Sequence, residues 1–86
     1  MNGEEVQGIS QEVTRRVLRA ATIEAHGRPG AYVTSDSVMR RAKISEAEEL
    51  RQIAQYLQSR GWIAEADADY GIFVVTYAGI DEATSE

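Results

Sequence analysis

Residue types that carry out chemistry in enzymes are scarce in this sequence. His26 is the only histidine and there is no cysteine, so disulfide bonds and thiolate chemistry are excluded. A lone histidine near the end of a helix is typical of a solvated residue whose charge suits the helix dipole. Ser35 and Ser37 flank Asp36, but a serine nucleophile needs a histidine or lysine partner, and none stands beside them. We therefore predict that the domain is not an enzyme and has no catalytic residues.

Motifs that hold metals or phosphates are also missing. Asp67 and Asp69 lie in one short acidic segment, which lacks the spaced oxygen ligands and terminal glutamate of a calcium-binding loop. Residues 27–30, Gly-Arg-Pro-Gly, have neither the lysine nor the spacing of a phosphate-binding loop. We expect no metal site, no cofactor and no small-molecule substrate.

Charge is distributed unevenly along the chain. The 86 residues carry a formal net charge of −5, yet all nine lysines and arginines lie between Arg15 and Arg60. That stretch has a net charge of +4, whereas residues 1–14 have −3 and residues 61–86 have −6. The whole protein is not expected to attract nucleic acid, although one face of it can be basic.

Length and composition predict one small globular domain. A chain of 86 residues buries about 60–65% of the surface that it exposes when unfolded, so its core is modest. No apolar run is long enough to span a membrane, and the first residues lack the basic and apolar regions of a secretory signal. We expect a cytoplasmic protein with a flexible tail at 1–8, a folded domain at 9–80 and an acidic tail at 81–86.

The spacing of apolar residues predicts the order of helices and strands. A broad apolar stripe follows Ser10, a helix-capping residue, and we expect this first helix to lie at the centre of the fold. Ser45 and Glu48 form the S-x-x-E capping box at the start of the third helix. The predicted elements are a helix ending before Gly27, a strand at 31–34, a helix at 36–42, a helix from Ser45 to Arg60, and two strands at 62–65 and 72–77 joined by a hairpin loop.

This order of elements resembles the winged-helix family of helix-turn-helix domains. Residues 56–63, Tyr-Leu-Gln-Ser-Arg-Gly-Trp-Ile, are similar to the family's transition from the third helix into the wing. Residues 75–80, Val-Thr-Tyr-Ala-Gly-Ile, are similar to the Leu-Thr-x-x-Gly pattern at the end of the second wing strand. The resemblance covers residues 9–80 and implies an α+β fold, a small winged helix with a three-helix core and a short antiparallel β-sheet that includes the wing hairpin.

The resemblance implies a binding mode for DNA, in which the third helix enters the major groove and the wing approaches the backbone. With Leu50 and Leu57 facing the core, the outward face of this helix carries arginine and glutamine, which can read guanine and adenine. The implied function is a DNA-binding transcription regulator that acts as a dimer on double-stranded DNA. The candidate DNA-binding residues are the base readers Arg51, Gln52 and Gln55, and the phosphate contacts Arg40, Arg41 and Lys43 with the hydroxyls of Thr34, Ser35 and Ser37.

Acidic residues favour a second hypothesis, in which the domain binds itself or another protein instead of DNA. Carboxylates suit the start of a helix, but they also repel phosphates, from which much of the affinity for DNA derives. Tyr56 and Tyr70 are the candidate residues of a protein interface, where tyrosine is enriched, and the other aromatic residues are expected in or near the core. The acidic residues concerned are Glu46, Glu48 and Glu49 at the start of the third helix, and Glu65, Asp67 and Asp69 in the wing.

Overall fold

The computed structural model describes residues 11–85, except for the side chain of Ala68. Within this range the chain has the predicted α+β fold, with four α-helices and a three-stranded antiparallel sheet in an arrangement compatible with a small winged helix. The predicted tail at 1–8 and the predicted cap Ser10 lie outside the described residues. The elements are α1 (Gln11–Glu24), β1 (Tyr32–Thr34), α2 (Ser35–Ala42), α3 (Ala47–Ser59), β2 (Ile63–Asp67), a 3-10 turn (Ala68–Tyr70), β3 (Ile72–Val75) and α4 (Tyr77–Thr84).

Helix α1 lies at the centre of the fold, as predicted. Its apolar stripe, which includes Val17, Leu18 and Ala21, is buried, and the helix packs against α2, α3 and α4. Thr22 is buried as well, and its hydroxyl has a hydrogen-bond partner there because it donates to the carbonyl of Leu18 at 2.9 Å. Ile23, an apolar residue of the same helix, is 53% exposed, since a position two residues after Ala21 falls on the far side of a 3.6-residue turn. In the described residues, no helix is long and apolar enough to cross a membrane.

The sheet has the strand order β1-β3-β2, and both pairings are antiparallel. Strands β2 and β3 form the predicted hairpin, here called the wing (residues 63–75), in which Glu65 lies opposite Phe73. A bulge between Glu65 and Asp67 lets Asp67 pair with Ile72, beside the 3-10 turn at the wing tip. Val33 and Val75 are buried with Phe73, so this face of the sheet closes the core.

Helix α3 turns its predicted apolar face inward but begins later than predicted. The helix starts at Ala47, and its N-cap residue Glu46 makes no side-chain capping hydrogen bond. The predicted capping box is therefore wrong: Ser45 lies one residue before the N-cap, and the carboxylate of Glu48 accepts a hydrogen bond from Arg51 instead. The buried residues of α3 are Leu50, Ile53 and Leu57.

A fourth helix follows the sheet, where an acidic tail at 81–86 and a strand extending to Tyr77 were predicted. Strand β3 ends at Val75, and Thr76 caps α4 by accepting a hydrogen bond from the Gly79 amide at 3.0 Å. Gly79 and Ala83 are buried, and α4 packs along α1. The sequence gives only a weak signal for this short helix because it packs through small residues, which leave no regular spacing of large apolar side chains.

Two tyrosines that were expected in or near the core are exposed. Tyr32 is 76% exposed because it lies on the outer face of β1, and Tyr77 is 78% exposed at the first position of α4. Trp62 is half-buried and packs against the core, as predicted. The core therefore relies on aliphatic residues and Phe73 rather than on tyrosine.

Candidate interaction surface

The hydroxyls at the start of α2 are already used within the protein. The Thr34 hydroxyl caps α2 by accepting from the Ser37 amide at 3.2 Å, and the Ser37 hydroxyl donates to the Thr34 carbonyl at 3.0 Å. The Ser35 amide and hydroxyl both donate to the carbonyl of Gly71, at 2.7 and 3.0 Å. These three predicted phosphate contacts therefore hold α2 in place and tie it to the wing.

The predicted basic cluster lies at the C-terminal end of α2. Arg41 donates to the carboxylate of Glu24 on α1 at 2.7 Å, and this bond holds the pKa of Glu24 below its ordinary value of 4.5. Lys43 adopts a left-handed conformation with φ of 61°, and its backbone amide donates to the carbonyl of Met39. Arg40 and Lys43 are exposed. Cations stabilise the negative end of a helix dipole, so this cluster has a structural role whether or not it binds phosphate.

The predicted base readers lie on the exposed face of α3, as expected. Arg51 donates a hydrogen bond to Glu48, which lowers the pKa of that carboxyl group and raises the pKa of the arginine. Gln52 and Gln55 are both exposed. One of the three readers, Arg51, is therefore engaged with a carboxylate of its own helix.

A groove that the sequence did not predict runs between α3, the start of α2 and the wing. Its volume is about 420 Å³. Half-buried Met39, Ala54 and Ile72 form its floor together with more deeply buried core residues. The charged side chains along it are Asp36 from α2, Glu48 and Arg51 from α3, and Glu65 and Asp67 from β2.

The two predicted interface tyrosines lie outside this groove. Tyr56 is 37% exposed and meets Trp62 edge to face, with ring centroids 6.3 Å apart. The guanidinium carbon of Arg60 lies over the Trp62 ring, 5.2 Å from its centroid. Tyr70 is 76% exposed at the wing tip. The structure does not bring Tyr56 and Tyr70 into one patch with the groove lining.

Arginines of α1 hold the C-terminal ends of two other helices. Arg16 donates to the carbonyl of Ala42, the last residue of α2, at 2.8 Å. Arg19 donates to the carbonyl of Ala83 at 3.3 Å, and Arg15 pairs with Glu82 at 3.4 Å. Apolar spacing gives no signal for such contacts, because each joins residues far apart in the sequence.

Comparisons with known proteins add no candidate ligand. No family of proteins, no curated protein and no solved structure matches this chain. Among the described residues, no group of three or more histidine, aspartate or glutamate side chains could hold a metal ion. The class that fold and surface define is a small α+β domain of four helices and a three-stranded antiparallel sheet, compatible with a winged-helix arrangement, with an acidic groove between α3 and the wing.

Proposed function

We propose that this domain is a protein-interaction module that uses the face formed by α3 and the wing to bind a partner protein rather than duplex DNA. One observation carries the proposal: four carboxylates surround the groove on this face, and the single arginine among them is paired with Glu48. A surface of this charge suits a cationic partner. The half-buried apolar floor of the groove adds surface of the kind that proteins bury when they associate.

The same charges argue against DNA at this face. A protein gains affinity for DNA by neutralising phosphates with lysine and arginine, which releases counterions. Here the wing carries Glu65, Asp67 and Asp69, so its approach to a phosphate backbone is repulsive. Pairing with Glu48 also occupies the Arg51 guanidinium that a guanine would need.

DNA binding remains the second candidate function because of the exposed side chains of Arg40 and Lys43. In that case the end of α2, not α3 and the wing, makes the contacts. Contacts limited to phosphates predict weak binding that depends strongly on salt and little on base sequence.

Photo-crosslinking from the exposed face of α3 tests the proposal. A photoreactive amino acid at Gln55 of the full chain, irradiated in the host cell, is expected to give adducts that resist nuclease and disappear with protease. The same substitution at Thr84, exposed on α4, is the matched control and is expected to give fewer of these adducts. Nuclease-sensitive adducts at Gln55 would overturn the proposal in favour of DNA.

A further inference from the structure

We infer that the groove between α3, the start of α2 and the wing binds a cationic amphipathic segment of a partner protein, with apolar side chains on the groove floor and lysine or arginine at its rim. This inference rests on the proposed function and names the chemical class of the partner. Three features of the groove support it: its floor, its rim and its rigidity.

The floor provides an apolar surface of suitable size. Met39 and Ala54 approach from the two helices and Ile72 from the wing, each half-buried over the buried side chains of Leu50 and Phe73. A volume of about 420 Å³ lies within the range of roughly 300–1,000 Å³ that ligand-binding clefts have. Side chains that fill the groove would remove this remaining apolar surface from water.

The rim selects the charge of the occupant. Asp36, Glu65 and Asp67 are exposed carboxylates on two sides of the groove, and Glu48 offers a fourth on α3. Arg51 offsets one of these charges, so the rim is negative overall. Lysine and arginine side chains complement such a rim, whereas an acidic segment or a phosphate backbone meets repulsion there.

The groove is held open by contacts that do not involve a ligand. Gly71 at the wing tip accepts two hydrogen bonds from Ser35, at 2.7 and 3.0 Å, so the wing is fixed relative to α2. A preformed site avoids the ordering cost that weakens binding by mobile segments.

Titration with synthetic peptides tests the inference on the full chain. The probe is a helical peptide with leucine along one face and lysine beside it; the controls replace every lysine by glutamate or every leucine by serine. Amide shifts from nuclear magnetic resonance report the site. The lysine–leucine peptide is expected to shift residues of α3, β2 and the start of α2, and both control peptides are expected to bind much more weakly.

A double variant, Glu65→Gln with Asp67→Asn, measures the contribution of the rim. Its affinity for the lysine–leucine peptide is expected to fall about 3- to 10-fold, as the loss of two exposed charge pairs implies. The matched control combines Glu49→Gln and Asp81→Asn, which change the net charge equally outside the groove and are expected to leave affinity within about twofold.

Each contrary outcome has a distinct meaning. The inference of a cationic partner is overturned if the glutamate peptide binds as tightly as the lysine–leucine peptide, or if both double variants lose the same affinity. Protein adducts at Gln55 would still support the proposed function in either case. Shifts of the groove residues with protein concentration alone identify a second copy as the occupant and also overturn the inference. DNA adducts at Gln55 overturn both proposals together.

Discussion

At the scale of single residues, Thr76 and Gly79 determine how the chain leaves the sheet. The Thr76 hydroxyl donates to the Gly61 carbonyl at 2.7 Å and accepts from the Gly79 amide at 3.0 Å. Gly79 lies so close to the backbone of Trp62 that no side chain fits between them. The Thr-x-x-Gly spacing noted in the sequence thus has a physical basis: the threonine caps α4, and the glycine permits the close approach.

Gly79→Ala is expected to destabilise the protein. Within an exposed helix this change is normally stabilising by about 1 kcal/mol, because alanine has the better helix propensity. Here the added Cβ would lie 2.0 Å from the Trp62 carbonyl oxygen, so the backbone must move, at a cost of roughly 1–3 kcal/mol or more. Urea unfolding measures the sign. Asp81→Ala, at an exposed position of the same helix, is the control and is expected to be close to neutral.

An unfolding free energy that rises in Gly79→Ala would show that α4 does not approach Trp62 in this way. The control excludes a general effect of alanine in α4. The sign alone decides the matter, because helix propensity and steric contact predict opposite changes at this position.

At the scale of elements, the sequence predicted those parts whose periodicity is strong. Leu50, Ile53 and Leu57 recur at spacings of three and four, and they fixed the inward face of α3 correctly. The S-x-x-E motif of Ser45 and Glu48 predicted the N-cap of the same helix at Ser45, one residue before the observed N-cap, Glu46. Motif spacing alone does not reveal which residue takes the extended N-cap conformation.

Helix α4 and the groove could not be predicted because both depend on contacts distant in sequence. The ion pair of Arg15 with Glu82 joins residues 67 positions apart. The groove brings Asp36, Glu48 and Glu65 together only after the wing has folded beside α2 and α3. The sequence did predict the acidic character of α3 and the wing, but not that these charges surround an apolar floor.

The contact between α1 and α2 is expected to depend on pH. Arg41 lowers the pKa of Glu24, so the folded state favours the ionised carboxylate. The stabilisation is therefore present above the ordinary pKa of 4.5 and is lost as the pH falls through the lower pKa of the folded state. Arg41→Gln is expected to reduce stability at neutral pH and to converge with the unsubstituted protein in acid.

Chemical denaturation across this pH range provides the measurement for Arg41→Gln. The effect is small, since Arg41 is exposed and Glu24 is partly exposed to water. Arg40→Gln, the neighbouring exposed substitution, serves as the control and is expected to show a weaker pH dependence, because Arg40 acts on Glu24 through charge alone. A constant difference between Arg41→Gln and the unsubstituted protein at all pH values would contradict the assignment.

At the scale of the whole molecule, acidic side chains outnumber basic ones by fourteen to nine, so ion pairing leaves an excess of carboxylates. Each of the three ion pairs joins one arginine to one glutamate. Five of these six side chains are at least one-third exposed to water, although each arginine has a carboxylate partner. The wing carboxylates Glu65, Asp67 and Asp69 have no cationic partner among the ion pairs of the described residues. Ion pairing leaves the net charge of a surface unchanged, so the face of α3 and the wing keeps the negative charge of four groove carboxylates set against one arginine.

Reversing the wing charge is expected to raise the affinity of this face for DNA. The variant Glu65→Lys with Asp67→Lys replaces two repulsive charges on exposed strand positions by two attractive ones. Its affinity for a short duplex at low salt should rise, and the slope of log affinity against log salt should steepen by up to about two, one for each new phosphate contact.

The control is Glu12→Lys on α1 with Asp81→Lys on α4, which changes the net charge of the protein by the same amount and is expected to steepen the slope less. Fluorescence anisotropy over a salt series measures both slopes. Equal slopes in the two variants would mean that net charge, and not the position of the wing carboxylates beside α3, keeps DNA away from this surface.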